Sequence, residues 1–202
     1  VVLGLRQPKR GEVALGTVVE NVIEIAPCDV LVFRAARTRK NNFKRIVIPV
    51  DDNLQSRVAM RTAIRLAKSY GTRIEAMYSG DNPRTSSQGD DLIEQMLKGS
   101  PGEEMVKRTT ITASNPADGI LSRTDEEDMI LVGFKKRDSS EDVVFGEIPS
   151  ELLNEAEGPV ILVARALTHD RAGDRLSRRV LSWMRPSLTR VEQEEIVQQA
   201  SV

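Results

Sequence analysis

Residues 128–165 read DMILVGFKKRDSSEDVVFGEIPSELLNEAEGPVILVAR. An apolar run, MILVGF, ends around Gly133; a polar loop comes next; Gly146 opens a stretch with helical spacing; and PVILVAR is a second apolar run. Continuous apolar runs without alternation are what parallel strands covered on both faces require, and strands joined in parallel need a crossover, usually a helix. The stretch therefore predicts strand, loop, helix, strand.

The same plan occurs at the start of the chain. VVLGLRQPKRGEVALGTVVENVIEIAPCDVLVFRA has a strand with Gly4, a polar loop, Gly16, a helix and a strand, and it aligns without a gap from Gly16 and Gly146 onward. A repeat with a period near 130 residues is domain-sized and signals tandem domains. Because VVLGLRQ reads as the middle of a buried strand and no initiating Met precedes it, residues 1–35 are expected to be the C-terminal part of a first domain. RAARTRKNNFKR is basic and lacks apolar periodicity, so residues 36–42 read as a linker.

A complete domain is expected over residues 43–166. The run Ile46, Val47, Ile48, Val50 is a parallel strand, and Asp51, Asp52 and Asn53 end it and can cap the next helix. From Leu54 to Tyr70, Ala59, Ala63, Ile64, Leu66, Ala67 and Tyr70 recur at helical spacing, opposite Arg57, Arg61, Arg65 and Lys68, with Gly71 as C-terminal cap. The plain reading of that basic stripe is solvated helix surface. Strand RIEAMYS, a Gly/Pro/Ser loop, helix DDLIEQMLK, strand MVKRTTITA and a short helix from Pro116 to about Arg123 lead back to the opening stretch. Strands alternating with helices give an α/β fold, a Rossmann-like parallel sheet with helices on both faces.

Composition bounds the chemistry. The chain has 202 residues, 40% of them hydrophobic, and a formal net charge of -1, so nothing in the bulk charge asks for nucleic acid. The single Cys28 excludes an internal disulfide, and the single His169 excludes most zinc and Ser-His-Asp chemistry within one chain. No nucleophile and base pair stands out, and the expectation is that the chain is not an enzyme.

At IVIPVDD, NPADGIL, DMILVG and the Gly146 helix running into GPVILVAR, the sequence resembles the universal stress protein family over residues 43–166, with the tail of a second such domain at 1–35. The resemblance implies a five-stranded parallel sheet in the order 3-2-1-4-5, with ATP or AMP bound in some members at the carboxyl ends of strands 1 and 4. Binding members carry a G-x2-G-x9-G-[ST] pattern after strand 4, whose glycines let backbone approach phosphate. Here Gly133 and Gly146 stand at the outer spacing, but the middle glycine position holds Lys136 and the hydroxyl position holds Glu147. A carboxylate in the first helical turn is favoured by the dipole that would attract phosphate, by about 0.3–1 kcal/mol, so Glu147 repels a polyphosphate. Lys135, Lys136 and Arg137 are candidate compensating ligands, but with no fixed backbone cradle beside them the plainer reading is a solvated loop. By the same resemblance Val50 and Asp51 fall at the nucleoside end, Asp51 serving either there or as a helix N-cap, and Gly16-Thr17 preserves half a motif in the first copy.

After Arg165, Leu176, Val180, Trp183 and Met184 share a helical face while Arg175, Arg178, Arg179 and Arg185 supply charge, a pattern that suits an anionic membrane surface through residues 171–185 or, on the plainer reading, a helix packed on its own domain or on a partner. WMRPSLTRVEQEEIVQQASV resembles the lead-in to a multi-helix membrane domain. The first expectation is thus a regulatory, non-catalytic cytoplasmic module at the inner face of a membrane, with weak or lost nucleotide binding, residues 167–202 leading to the membrane domain. The alternative is a soluble ATP-binding stress protein acting as a nucleotide-dependent dimeric switch. An apolar edge strand invites pairing, and family members join through this one, so residues 159–165 are expected to pair antiparallel with residues 29–34 or with another chain.

Overall fold

Asn53, just after the first complete-domain strand, shows how local chemistry places an element. Its side chain accepts the Ser56 N–H at 2.7 Å, which fixes the start of a helix at Leu54; Gly71, at φ 64°, ends that helix after Tyr70 by a left-handed turn that costs a glycine no Cβ clash. The cap is Asn53, not Asp51, which leaves the Asp51 carboxylate for other contacts.

The computed structural model describes residues 1–5, 15–37, 43–82, 84–98, 101–134 and 146–165. In chain order the elements are β1 (Val2–Leu5), α1 (Thr17–Ile25), β2 (Val30–Arg34), β3 (Arg45–Pro49), α2 (Leu54–Tyr70), β4 (Arg73–Gly80), α3 (Thr85–Leu97), β5 (Val106–Thr112), α4 (Pro116–Leu121), β6 (Asp128–Phe134), α5 (Glu147–Glu155) and β7 (Val160–Ala164). Lys135, Lys136, Arg137, His169 and the Arg-rich segment 171–185 lie outside the described residues. Among the described residues no helix is long and apolar enough to cross a membrane.

The sheet has seven strands in the order β1-β2-β7-β6-β3-β4-β5, where five were expected. Strands β3 to β7 do run in the anticipated 3-2-1-4-5 arrangement, all parallel, but the sheet does not stop at β7. An edge made of Val160, Ile161, Leu162, Val163 and Ala164 would leave apolar strand and main-chain groups open, and β2 covers it in antiparallel register, Val30 opposite Ala164 and Arg34 opposite Val160. β1 then adds parallel to β2.

Two apolar layers sandwich the sheet. On one face Val19 and Ile23 of α1, Ile120 of α4 and Leu152 and Leu153 of α5 pack against Val30, Val32, Val132 and Leu162. On the other, Val58, Ala59, Ala63, Ile64 and Ala67 of α2 and Ile93 and Leu97 of α3 pack against Ile46, Ile48, Ile74 and Leu131. The α2 face is the one read from the spacing, except that Tyr70 is exposed, its ring edge-on to Phe43 at 5.4 Å between centroids.

α3 begins five residues before the helix read as DDLIEQMLK. The Asn82 side chain accepts the Arg84 N–H at 2.9 Å and organises the entry, and Gly89, read as loop, lies inside the helix against β4 and β5. A Cβ there would stand 2.6 Å from Thr110 and 2.7 Å from Tyr78, so this glycine permits close helix–sheet packing.

At the amino ends of the strands, Arg45 donates from Nε to Asp128 at 2.8 Å, from Nη1 to Glu75 at 2.7 Å and from Nη2 to the Arg123 carbonyl at 2.8 Å. Glu75 also accepts from Lys107 at 3.0 Å and from the Thr109 hydroxyl. Burial works against the Glu75 charge, but the donors from Thr109, Lys107 and Arg45 outweigh it and hold its pKa below the usual carboxylate value.

Candidate functional site

In an open parallel sheet the crevice for a ligand lies at the carboxyl ends of the strands where strand order reverses. Here that point is between β3 and β6, and a cleft of about 260 Å³ opens there. Its floor is Val50 and Asp51 after β3 and Gly133 in β6; Tyr78 and Ser79 of β4 form one wall, Ile148 and Pro149 of α5 another.

Val50 is buried and its N–H is used by the Met77 carbonyl at 2.9 Å, which holds the strand end rigid beneath the cleft. Asp51 accepts from the Ser56 hydroxyl and from the Asn53 amide. Although part of its surface reaches solvent, desolvation raises its pKa above the ordinary value, the Ser56 bond opposes the shift and Asp52 adds to it. Asp51 and Asp52 are the charged side chains among the described residues lining the cleft, so its fixed charge is negative.

The two glycines of the loop pattern have different reasons to be glycine. A Cβ at Gly133 would lie 2.4 Å from the backbone C and O of Gln55, so the position is dictated by the first turn of α2 crossing β6, whatever binds nearby. Gly146 is the N-cap of α5 with φ -64°, and among the described residues a Cβ there would meet only the Pro149 ring at 3.6 Å. Neither its backbone nor packing among the described residues asks for glycine at 146. Glu147 is exposed in the first turn of α5, immediately before the cleft-lining Ile148 and Pro149.

Among the expected site residues, the fold thus gathers Val50, Asp51, Gly133, Gly146 and Glu147 at one end of the sheet, while Lys136 lies outside the described residues. Gly16 and Thr17 do not join them. They start α1 after β1, and because β1 and β2 run antiparallel to β7, this turn sits at the opposite end of the sheet. Gly16 adopts φ 79°, which favours glycine on its own account.

Sequence reading missed Ser79. Its Oγ is buried in the cleft wall with no hydrogen-bond partner among the described residues, and α4 presses so closely on it that a Cβ at Gly119 would lie 2.5 Å away. The available signal was a hydroxyl closing the apolar strand RIEAMYS. Among the described residues no group of three or more His, Cys, Asp or Glu side chains is gathered to hold a metal.

Residues 42–164 match the sequence profile of the Universal stress protein family. A universal stress protein of Methanocaldococcus jannaschii is 26% identical over 148 residues, 64% of this chain and 86% of the relative. Among solved structures, a universal stress protein from Archaeoglobus fulgidus superposes with a TM-score of 0.52 at 21% identity, covering 60% of this chain and 98% of that one. A second, from Archaeoglobus fulgidus DSM 4304, gives 0.55 at 16% identity over 82% of this chain and 60% of that one. The Archaeoglobus fulgidus universal stress protein in complex with dAMP gives 0.50 at 18% identity, with 60% and 98% covered. At these identities the structural likeness speaks for the fold, and the profile match, spanning more than half of the chain, settles its kinship: the protein belongs to the universal stress protein family.

Proposed function

We propose that this chain is a non-catalytic binding module that takes an adenine nucleotide, AMP or ATP, in the cleft between β3 and β6. The observation that carries the reading is the cleft itself, which lies at the strand-order reversal with Asp51 at one end, an unpartnered Ser79 hydroxyl in its wall and the open N-cap Gly146 beside its α5 wall. Carboxylates and a spare hydroxyl suit a ligand rich in hydroxyl and amine donors, and a related fold from Archaeoglobus fulgidus holds dAMP. This supports retained nucleotide binding over its loss. The negative lining and Glu147 favour a monophosphate over a triphosphate.

The reading extends to a chain of two such units. Gly4 corresponds to Gly133, yet a Cβ at Gly4 would meet nothing within 4 Å among the described residues, and Val1 and Val2 are 55% and 69% exposed where their counterparts Ile130 and Leu131 are buried. Gly133 is glycine because a helix turn lies on it; the same reason at Gly4 calls for a strand and helix like β3 and α2 beside β1.

Calorimetry with AMP, ATP and adenosine tests the proposal. Micromolar AMP binding that Asp51→Ala weakens supports it; no heat and no thermal shift at millimolar nucleotide would remove it, since ligand at 100 times its dissociation constant stabilises by about 2.7 kcal/mol.

A further inference from the structure

β2 alternates Val30, Val32 and Arg34 toward one face of the sheet, and Arg34 is fully buried, close enough to Arg37 and Glu157 to feel their charges. Its guanidinium meets main-chain carbonyls of the other copy. Nη2 donates to Ala156 and Gly158, both at 2.8 Å, and Nη1 donates to Ala35 at 2.9 Å; Nε has no partner. Three residues on, Arg37 donates from Nη2 to the Asn154 carbonyl and from its backbone N–H to the Glu157 carbonyl at 2.9 Å. All four acceptors across the junction belong to the last turn of α5 and the turn into β7, where a helix leaves carbonyls unpaired and its dipole favours a cation.

The repeat shows what self-pairing would lack. The alignment that places Val30 on Val160 places Arg34 on Ala164 and Arg37 on Leu167, so Arg-x-x-Arg of the first copy is Ala-x-x-Leu in the second. If β7 paired with β7 of another chain in the register seen with β2, a methyl group would stand opposite Val160. The Ala156 and Gly158 carbonyls would then be buried without a donor. Main-chain pairing alone is indifferent to sequence, so the end contacts discriminate.

We propose that Arg34 and Arg37 make the β7 edge selective for the β2 strand that carries them, and that their absence at the equivalent positions of β7 discourages two complete domains from joining edge to edge. The pair determines which partner the edge takes. The partner it fits is an apolar strand ending in two arginines three residues apart.

The test is peptide-resolved hydrogen exchange and sedimentation velocity on the full chain, comparing Arg34→Gln, Arg37→Gln, the double variant and Arg34→Lys. The expected result is amide exchange faster by about tenfold or more in β2 and β7, wild-type exchange in β3, α2 and β4, and concentration-dependent self-association of the double variant. Arg34→Lys falls between, because a single ammonium does not reproduce the fork that reaches both carbonyls. Acceleration spread equally into β3, α2 and β4 would show that Arg34 merely supports the fold. Unchanged exchange at 160–164, or faster exchange there without self-association, would overturn the selectivity.

Discussion

Gly133 and Gly146 occupy the outer positions of one loop pattern, and the structure says that replacing each by alanine should do opposite things. At 133 the new Cβ would sit 2.4 Å from the Gln55 backbone C and O and 2.9 Å from its Cβ, a full ångström inside ordinary contact on the first two atoms. The obstruction is backbone on a capped helix, so relief requires moving the first turn of α2 off β6. Overpacking of that kind costs about 1–3 kcal/mol, and the upper end applies where backbone meets backbone. For a chain of this size about 3 kcal/mol lowers Tm by roughly 6–12 °C. At 146 an alanine Cβ would, among the described residues, meet only Pro149 at 3.6 Å and keep φ at -64°. The weaker N-cap and the stiffer unfolded chain then offset each other to within about 0.5 kcal/mol. Scanning calorimetry without ligand, then AMP titration of both variants, measures the contrast. Gly133→Ala should melt early, while Gly146→Ala should melt like wild type and bind AMP more weakly. A Gly133→Ala protein with wild-type Tm, or equal destabilisation by both changes, would refute the reasoning.

The electrostatics give three further expected outcomes. Glu75 has its pKa held down in the folded state, so it contributes stability above its unfolded pKa that disappears as pH falls through the folded value; Glu75→Gln should cost about 1.5–3 kcal/mol at pH 7 and flatten the acid limb of stability against pH, read by urea melts from pH 7 to 3. Asp51 is shifted the other way, so its ionisation costs stability as pH rises from its unfolded to its folded pKa, and Asp51→Asn should remove that decline while weakening AMP binding in calorimetry. Glu147→Ser removes an exposed anion from the first turn of α5 and should tighten ATP about two- to fivefold at low salt with a smaller change for adenosine; equal ATP affinity in the two proteins would show that Glu147 does not face phosphate.

Much of this fold was legible because its signals are local. α2 runs from Leu54 to Tyr70 as its spacing and caps indicate, and β3, β4, β5, β6 and β7 fall on the segments read as strands. What escaped depends on contacts between distant segments. Gly89 looked like loop punctuation because serine and glycine around it are weak helix formers, but Thr110 and Tyr78 need the missing Cβ. Gly133 looked like a phosphate contact because sequence does not show that Gln55, far earlier in the chain, passes over it. Asp51 and Asn53 are both good caps, and only the Asn53 bond to Ser56 distinguishes them. Arg34 carried a readable sign, a cation in the inward register of VLVFR, but its partners at Ala156 and Gly158 lie more than a hundred residues away. The cleft location was legible from topology, while Ser79 became visible only as an atom with nothing to bond.

The reversal of strand direction at β2 and β7 gives this slab two poles. Everything parallel to β3 delivers its carboxyl ends, and with them the Asp51 cleft, to one pole; β1 and β2 deliver Gly16 and the start of α1 to the other. The starts of α1 and α5 therefore open on opposite rims of one continuous sheet and face away from each other.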